Sequence, residues 1–210
     1  LQSYNISPTY AVRIYKTYGQ RTIQIIKENP YNLAEDIFGI GFKMADRIAL
    51  SMGIPIDSKY RIASGTRYVL NQFHSNGHSY VPQEILIKTA SELLEVREED
   101  VENILSHLYI DRKIVVEKLE DVIAVYSIAF HRAELGVARR LLALAQYPVS
   151  KVVFDVDQVI DLIEIEEGIN LASNQREAVH QAVNKGVLII TGGPGTGKTT
   201  TIKAIIRILE

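Results

Sequence analysis

The stretch "VLIITGGPGTGKTTTIKAIIRILE", residues 187–210, decides the reading of this chain. Val187 to Ile190 are a β-branched-rich run and predict a short strand. Thr200 to Leu209 have helical periodicity. Between them, Gly192-Gly193-Pro194-Gly195-Thr196-Gly197-Lys198-Thr199 fits G-x-x-x-x-G-K-[ST] at every fixed position. The glycines permit positive φ and close backbone approach. Successive N–H groups then form an anion nest, and the following helix turns its positive end to the same point. Gly193, Pro194, Gly195, Thr196 and Gly197 are expected to wrap a nucleotide triphosphate. Lys198 places a mobile charge between the β- and γ-phosphates, the Thr199 hydroxyl is placed to ligate Mg²⁺, and Thr200 is placed to donate to the α-phosphate. The implied ligands are ATP and Mg²⁺, with Lys198 and Thr199 closest to the chemistry.

Upstream, "LASNQREAVHQAV", residues 171–183, predicts a helix capped by Ser173 or Asn174, with Glu177 completing a capping box. Leu171, Ala178, Val179 and Val183 form its inner face. Gln175 is exposed in this phase. Its amide offers one donor and one acceptor, which match the N6 and N7 edge of adenine.

At the other end, Ile37-Phe-Gly39-Ile40-Gly41-Phe-Lys43-Met-Ala45-Asp-Arg47-Ile48 fits a helix-hairpin-helix pattern, h-x-G-h-G-x-x-x-A-x-x-h. Gly39 and Gly41 allow the tight turn, Ile40 plugs the gap between helices, and Ala45 lets them approach closely. The turn amides face outward, where a DNA phosphate docks. Lys43 and Arg47, one helical turn apart, flank that position. The alternative is a hairpin used only for packing. Residues 4–18 look like a degenerate copy of 36–50, with Ala11 and Arg13 matching Ala45 and Arg47, but Ile6-Ser7-Pro8 replaces the glycines. Packing support is the expected role of that copy.

Residues 59–127 predict three helices, "RIASGTRYVLNQFHS", "VPQEILIKTASELL" and "REEDVENILSHLYI", then a hairpin of Ile114–Val116 and Val122–Tyr126 across a polar turn, Glu117–Asp121. That is the order of a winged helix-turn-helix. Glu84, Glu92 and Glu95 on the second helix and Glu98, Glu99, Asp100 and Glu102 on the third repel phosphate, so scaffold use is favoured over DNA contact. Residues 128–147 predict one long helix closed by Pro148. Residues 155–167 carry six carboxylates and no Lys or Arg, which predicts a solvated helix face with Val159, Leu162 and Ile163 inward. Tyr15, Tyr68, Tyr109 and Tyr126 have core-like spacing.

The chain has 210 residues, 47% hydrophobic and 23% charged, with net charge −2 and an isoelectric point near 6.3. DNA binding therefore has to rest on local patches, not on total charge. There is no cysteine, hence no disulfide framework or thiolate metal site, and a cytoplasmic setting is expected. No apolar run approaches the roughly 20 residues of a membrane span. The chain does not begin with Met, which suggests a piece of a longer protein.

Leu171…Gln175…Ala178-Val179 followed by Gly192 to Thr199 resembles the Q motif and motif I of superfamily 1 helicases. "ENPYNLAEDIFGIGFKMADRIA", residues 28–49, resembles the helix-hairpin-helix region of the RecD-like helicases, and "GHSYVP" and "RAEL…A" from Arg132 are similar to the same proteins. These are 5′-to-3′ DNA translocases related to the alpha subunit of exodeoxyribonuclease V, and the likeness is to the stand-alone, long-N-terminus branch.

The resemblance implies a mainly α fold with a small β-hairpin, followed by the start of an α/β P-loop motor domain. The expected division is 1–56 helix-hairpin-helix, 57–127 winged-helix-like, 128–168 connecting helices, and 169–210 the motor start. The partner implied is single-stranded or junction DNA, with other replication or repair proteins alongside. The later motor motifs would lie downstream, so these residues alone are expected to be inactive. About the last 20 to 40 residues, with their lone strand, are expected to be poorly ordered, reorganised or self-associated. Two rival readings stay open: a DNA-binding module with a nucleotide-sensing loop, and an ATPase that remodels proteins on DNA.

Overall fold

The computed structural model describes residues 6–147 and 153–210, so Pro148 and the first residues of the degenerate copy lie outside it. The chain divides into two compact units, one running to Glu134 and the other from Leu135 to Glu210.

The first unit opens with α1 (Pro8–Tyr18), α2 (Thr22–Glu28), α3 (Asn32–Asp36) and α4 (Phe42–Ser51). Pro8 stands at the first helical position, and Gly19, at φ +58°, ends α1. Then follow α5 (Lys59–Ser75), β1 (Val81–Pro82), α6 (Gln83–Leu94), α7 (Glu98–Ile110), β2 (Ile114–Leu119) and β3 (Val122–Ser127). The sheet order is β1-β3-β2, all antiparallel. Helix, strand, helix, helix, strand, strand is the winged-helix order.

Two details differ from the sequence reading. Glu117, Lys118 and Leu119 belong to β2, and Leu119 pairs with Val122, so the turn is only Glu120-Asp121. Glu117 and Lys118 point to opposite faces of the strand, Glu117 half-buried and Lys118 exposed, so the apolar–polar run read as a turn is the strand's outer end. The two-residue β1 pairs Val81 with Val125 and Pro82 with Ala124 at the sheet edge, where a missing proline N–H is tolerated.

Residues on both sides of position 56 share one apolar core. Ile14, Leu33 and Ala45 join Leu70, Leu86 and Val125 in it, all fully buried. A polar pin crosses the same seam. Arg61 Nε and Nη2 donate to the two carboxylate oxygens of Asp46 at 2.9 and 3.2 Å. Arg61 Nη1 donates to the carbonyls of Ile56 (2.9 Å) and Leu94 (2.7 Å). The Tyr31 hydroxyl donates to Asp46 Oδ1 at 2.7 Å. A buried guanidinium is tolerable because its donors are spent in this way. Gly65 lets α5 approach α6, since a Cβ there would meet Leu94 Cδ2 at 2.5 Å. Of the tyrosines with core-like spacing, Tyr126 is buried, but Tyr15 and Tyr109 are 58% and 55% exposed. The core-like spacing thus misplaced those two, and among the described residues no element covers them.

Helix α8 (Ile128–Gln146) runs out of the first unit into the second. The second unit adds α9 (Val156–Glu167), α10 (Ser173–Asn184) and α11 (Lys198–Leu209). Val156, Ile160, Ile163, Leu171, Val179, Val183, Ala204 and Ile208 form its core. Of the alternatives expected for the last residues, poor order does not hold for α10 and α11, which are formed and packed. The strand at 187–190 is also corrected. Those residues pair with no strand among the described residues, and Ile189 is 80% exposed. On α9, Ile163 is buried and Val159 packs against the core as expected, but Leu162 is 58% exposed and Ile160 is buried in its stead.

Candidate functional site

The phosphate-type loop is assembled from the start of α11 backward. Gly197 caps α11 at φ +76°, and Gly195 stands at φ +74°, both left-handed positions that favour glycine. Thr196 Oγ1 donates to the Gly193 carbonyl at 2.9 Å and closes the turn. A Cβ at Gly192 would meet Thr196 Oγ1 at 2.6 Å, so the loop needs glycine there. Lys198 Nζ donates to the carbonyls of Gly192 (2.7 Å) and Gly193 (2.6 Å). The ammonium is therefore folded into its own loop, on neutral acceptors that a phosphate oxygen outcompetes. Thr199 is exposed and Thr200 half-buried, while Thr201 is buried and donates to the Gly197 carbonyl at 3.1 Å. The donor set suits a triphosphate with Mg²⁺: loop amides and Lys198 for the anion, the free-facing Thr199 hydroxyl for the cation.

The structure brings Gln175 to this loop. Its Nε2 donates to the Thr196 carbonyl at 3.3 Å, and its Oε1 accepts from the Ala172 N–H at 2.8 Å. The Gln175 amide fills the space that a Cβ at Gly197 would need. Three expectations are corrected here. Gln175 is half-buried and tied to the loop, not exposed. The cap residue is Ala172, and the residue reaching back to its N–H is Gln175. Glu177 instead accepts from Gln181 Nε2 at 2.6 Å.

The residue after Gln175 was not singled out from the sequence. Arg176 donates to Glu164 Oε2 (2.9 Å) and Asp161 Oδ1 (2.6 Å), with Asp157 at 3.5 Å. Glu164 Oε1 also accepts from the Leu171 N–H at 2.7 Å. His180 reaches Asp157 at 3.0 Å, and Arg207 reaches Glu166 at 3.1 Å. The acidic face of α9 is thus partnered by α10 and α11, not merely solvated. The hydrogen bond to Asp161 raises the Arg176 pKa, and the one from His180 holds Asp157 below the usual carboxylate range. Spacing of 157, 161 and 164 on one helix face was the available signal.

In the first unit, the hairpin Ile37–Gly41 joins α3 to α4. Gly39 stands at φ +90°, and the Ile40 N–H donates to the Ile37 carbonyl at 3.0 Å. Ile40 and Ala45 are buried beneath the turn, as plug and close-contact residue. Lys43 and Arg47 are exposed on α4. Helix α1 braces the turn: Tyr10 Oη donates to the Gly39 carbonyl at 3.3 Å and Arg13 Nη1 to the Phe38 carbonyl at 3.4 Å. The degenerate copy therefore props the intact one. Within the winged segment, α7 opens with Glu98, Glu99 and Asp100, and Arg97 is engaged by Asp100 at 2.8 Å.

With both geometries in hand, comparison with known proteins is decisive. Residues 1–80 match the profile of the ATP-dependent RecD2 DNA helicase HHH domain, and residues 175–210 match an AAA domain. The second match begins at Gln175. All of the chain aligns with the ATP-dependent RecD2 DNA helicase of Deinococcus radiodurans, at 24% identity over 229 residues. The chain is similar to the RecD-like helicases at its hairpin domain and at its glycine loop. It spans 30% of the length of that Deinococcus relative. RecBCD enzyme subunit RecD of Mycobacterium tuberculosis and of Mycolicibacterium smegmatis are each 49% identical over 35 residues, covering 17% of this chain and 6% of theirs. The two profile matches fall on the two glycine turns, the hairpin in the first unit and the phosphate-type loop in the second. Among the described residues, no helix is long and apolar enough to cross a membrane.

Proposed function

We propose that this chain supplies the DNA-contacting hairpin and the ATP phosphate loop of a 5′-to-3′ DNA helicase acting in recombination or repair. Residues 1–56 carry the hairpin, 57–127 a winged-helix-like scaffold, 128–168 the connecting helices and 169–210 the nucleotide loop. The observation that carries the reading is the Lys198 ammonium held on the Gly192 and Gly193 carbonyls, beside a loop amide array. ATP arriving as the Mg²⁺ complex replaces those carbonyls with β- and γ-phosphate oxygens. Thr199 takes the metal, Thr200 faces the α-phosphate, and Gln175, already on the loop, reads adenine. Mg²⁺ in such a site neutralises the charge that develops on the transferred phosphoryl group. At the hairpin, Gly39 and Gly41 shape the turn whose amides meet a DNA phosphate, with Lys43 and Arg47 on either side.

Two measurements test this. Lys198→Ala is expected to abolish DNA-stimulated ATP hydrolysis by the intact gene product; substantial residual turnover would remove the nucleotide assignment. Lys43→Ala with Arg47→Ala is expected to flatten the salt dependence of DNA binding by about 2 in log–log slope. An unchanged slope would leave the hairpin as scaffold.

A further inference from the structure

The hairpin tip carries a side chain that neither its packing nor the phosphate contact uses. Phe38 precedes Gly39 and is 94% exposed. Leaving a phenylalanine ring in water forgoes the stabilisation that burial of its apolar surface gives. Nothing about the turn demands an aromatic there, since the plug is Ile40 and the positive φ belongs to Gly39. The backbone that displays the ring is fixed on both sides, by Arg13 on the Phe38 carbonyl and Tyr10 on the Gly39 carbonyl. Beside the ring lies a concavity of about 300 Å³ lined by Arg13, Lys16, Thr17, Asp36, Ile37 and Phe38. Its one carboxylate, Asp36, is occupied as acceptor of the Tyr18 hydroxyl at 2.7 Å. On α4, at the other end of the turn, stand Lys43 and Arg47.

We infer that Phe38 is a base-stacking platform for single-stranded DNA, with Arg13 and Lys16 taking the phosphate that follows the stacked base. A rigidly presented ring with cations beside it has the chemistry of a single-strand site: bases stack on the aromatic face while basic groups track the backbone. Duplex DNA hides its base faces in the stack and leaves a ring of this kind nothing to stack on. The hairpin therefore gains a preference for unpaired DNA that turn amides alone do not supply. This inference rests on the DNA-contact reading of the hairpin proposed above, and it deepens that reading.

The test uses the 210-residue chain with a labelled oligothymidine and a duplex of equal length, by fluorescence anisotropy. Phe38→Ala is expected to weaken single-strand binding about tenfold, the worth of one base stack, with little change for duplex. The chain has no tryptophan, so Phe38→Trp installs a single reporter. Its emission is expected to be quenched by the oligothymidine and not by an abasic oligomer. Unchanged single-strand affinity in Phe38→Ala, equal losses on both DNAs, or an unquenched Trp would overturn the inference. The Lys43→Ala, Arg47→Ala pair separates the two readings. A flattened salt slope with an unquenched Trp sinks the stacking alone. An unchanged slope in that pair sinks the phosphate contact. Failure of the unsubstituted chain to bind either DNA sinks both.

Discussion

Two glycine turns in this chain each lead into a helix and each can offer amides to a phosphate, yet they are held in opposite ways. The Ile37–Gly41 turn is closed from beneath by Ile40 and Ala45, and from the side by Tyr10 and Arg13. It keeps its shape without a ligand. The Gly192–Gly197 loop is closed by its own Lys198 and by the Gln175 amide. Its groups are exposed or half-buried. Under the function proposed above, rigid packing suits a turn that docks a backbone phosphate, and weak internal contacts suit a loop that takes up and releases a stronger anion.

The sharpest way to break this contrast is Arg61→Ala. It removes the cation from the half-buried Asp46 carboxylate on α4 and leaves it the Tyr31 hydroxyl, so the first unit should lose about 3–5 kcal/mol. Denaturant unfolding should show that loss with the second unit's transition in place; an equal shift of both would mean the two sites are not independently supported. Next, saturating Mg²⁺-ATP should raise only the second unit's transition, by about 2.7 kcal/mol at a hundredfold excess over Kd. Lys198→Ala should erase the effect, and a gain in the first unit would contradict the contrast.

A smaller effect is expected in alkali. Burial, then the hydrogen bond to Asp46, raises the Tyr31 pKa well above its ordinary 10.0. The folded state therefore holds this proton more tightly than the unfolded chain does. Stability from it is complete below pH 10.0 and falls as pH rises further. Tyr31→Phe should flatten the alkaline loss in the first unit only; an unchanged profile would remove Tyr31 from the pin. Smallest of all, the buried Thr66 hydroxyl lacks a hydrogen-bond partner. Thr66→Val should be neutral or stabilising by at most about 1 kcal/mol, with DNA affinity unaltered. A clear destabilisation would mean that the hydroxyl has a bound water.

Legibility followed sequence distance. The phosphate loop and the hairpin glycines were readable because each is set within a few residues by φ, ψ and capping, and Gly39, Gly195 and Gly197 do stand at φ +90°, +74° and +76°. The order of helices and wing was readable from periodicity. By contrast, the grip of Arg176 on α9 spans 12 and 15 residues, the tie of Gln175 to Thr196 spans 21, and the Arg61 bond to Leu94 spans 33. Periodicity places such side chains on a face but is silent about which element arrives there. The same gap explains why an acidic run read as solvated is in fact paired, and why Tyr15 and Tyr109 remain uncovered.

The amino-acid sequence by itself determined the local devices: a glycine loop with Lys198 and Thr199 at a helix start, a plugged hairpin with Lys43 and Arg47, and the winged order. Tertiary structure alone decided that Gln175 sits on the loop, that Asp46 and Arg61 pin the hairpin's unit, and that residues 187–190 make no ladder. Turn geometry and capping are settled by neighbours along the chain, whereas hydrogen-bond and strand partners exist only once distant segments are packed together.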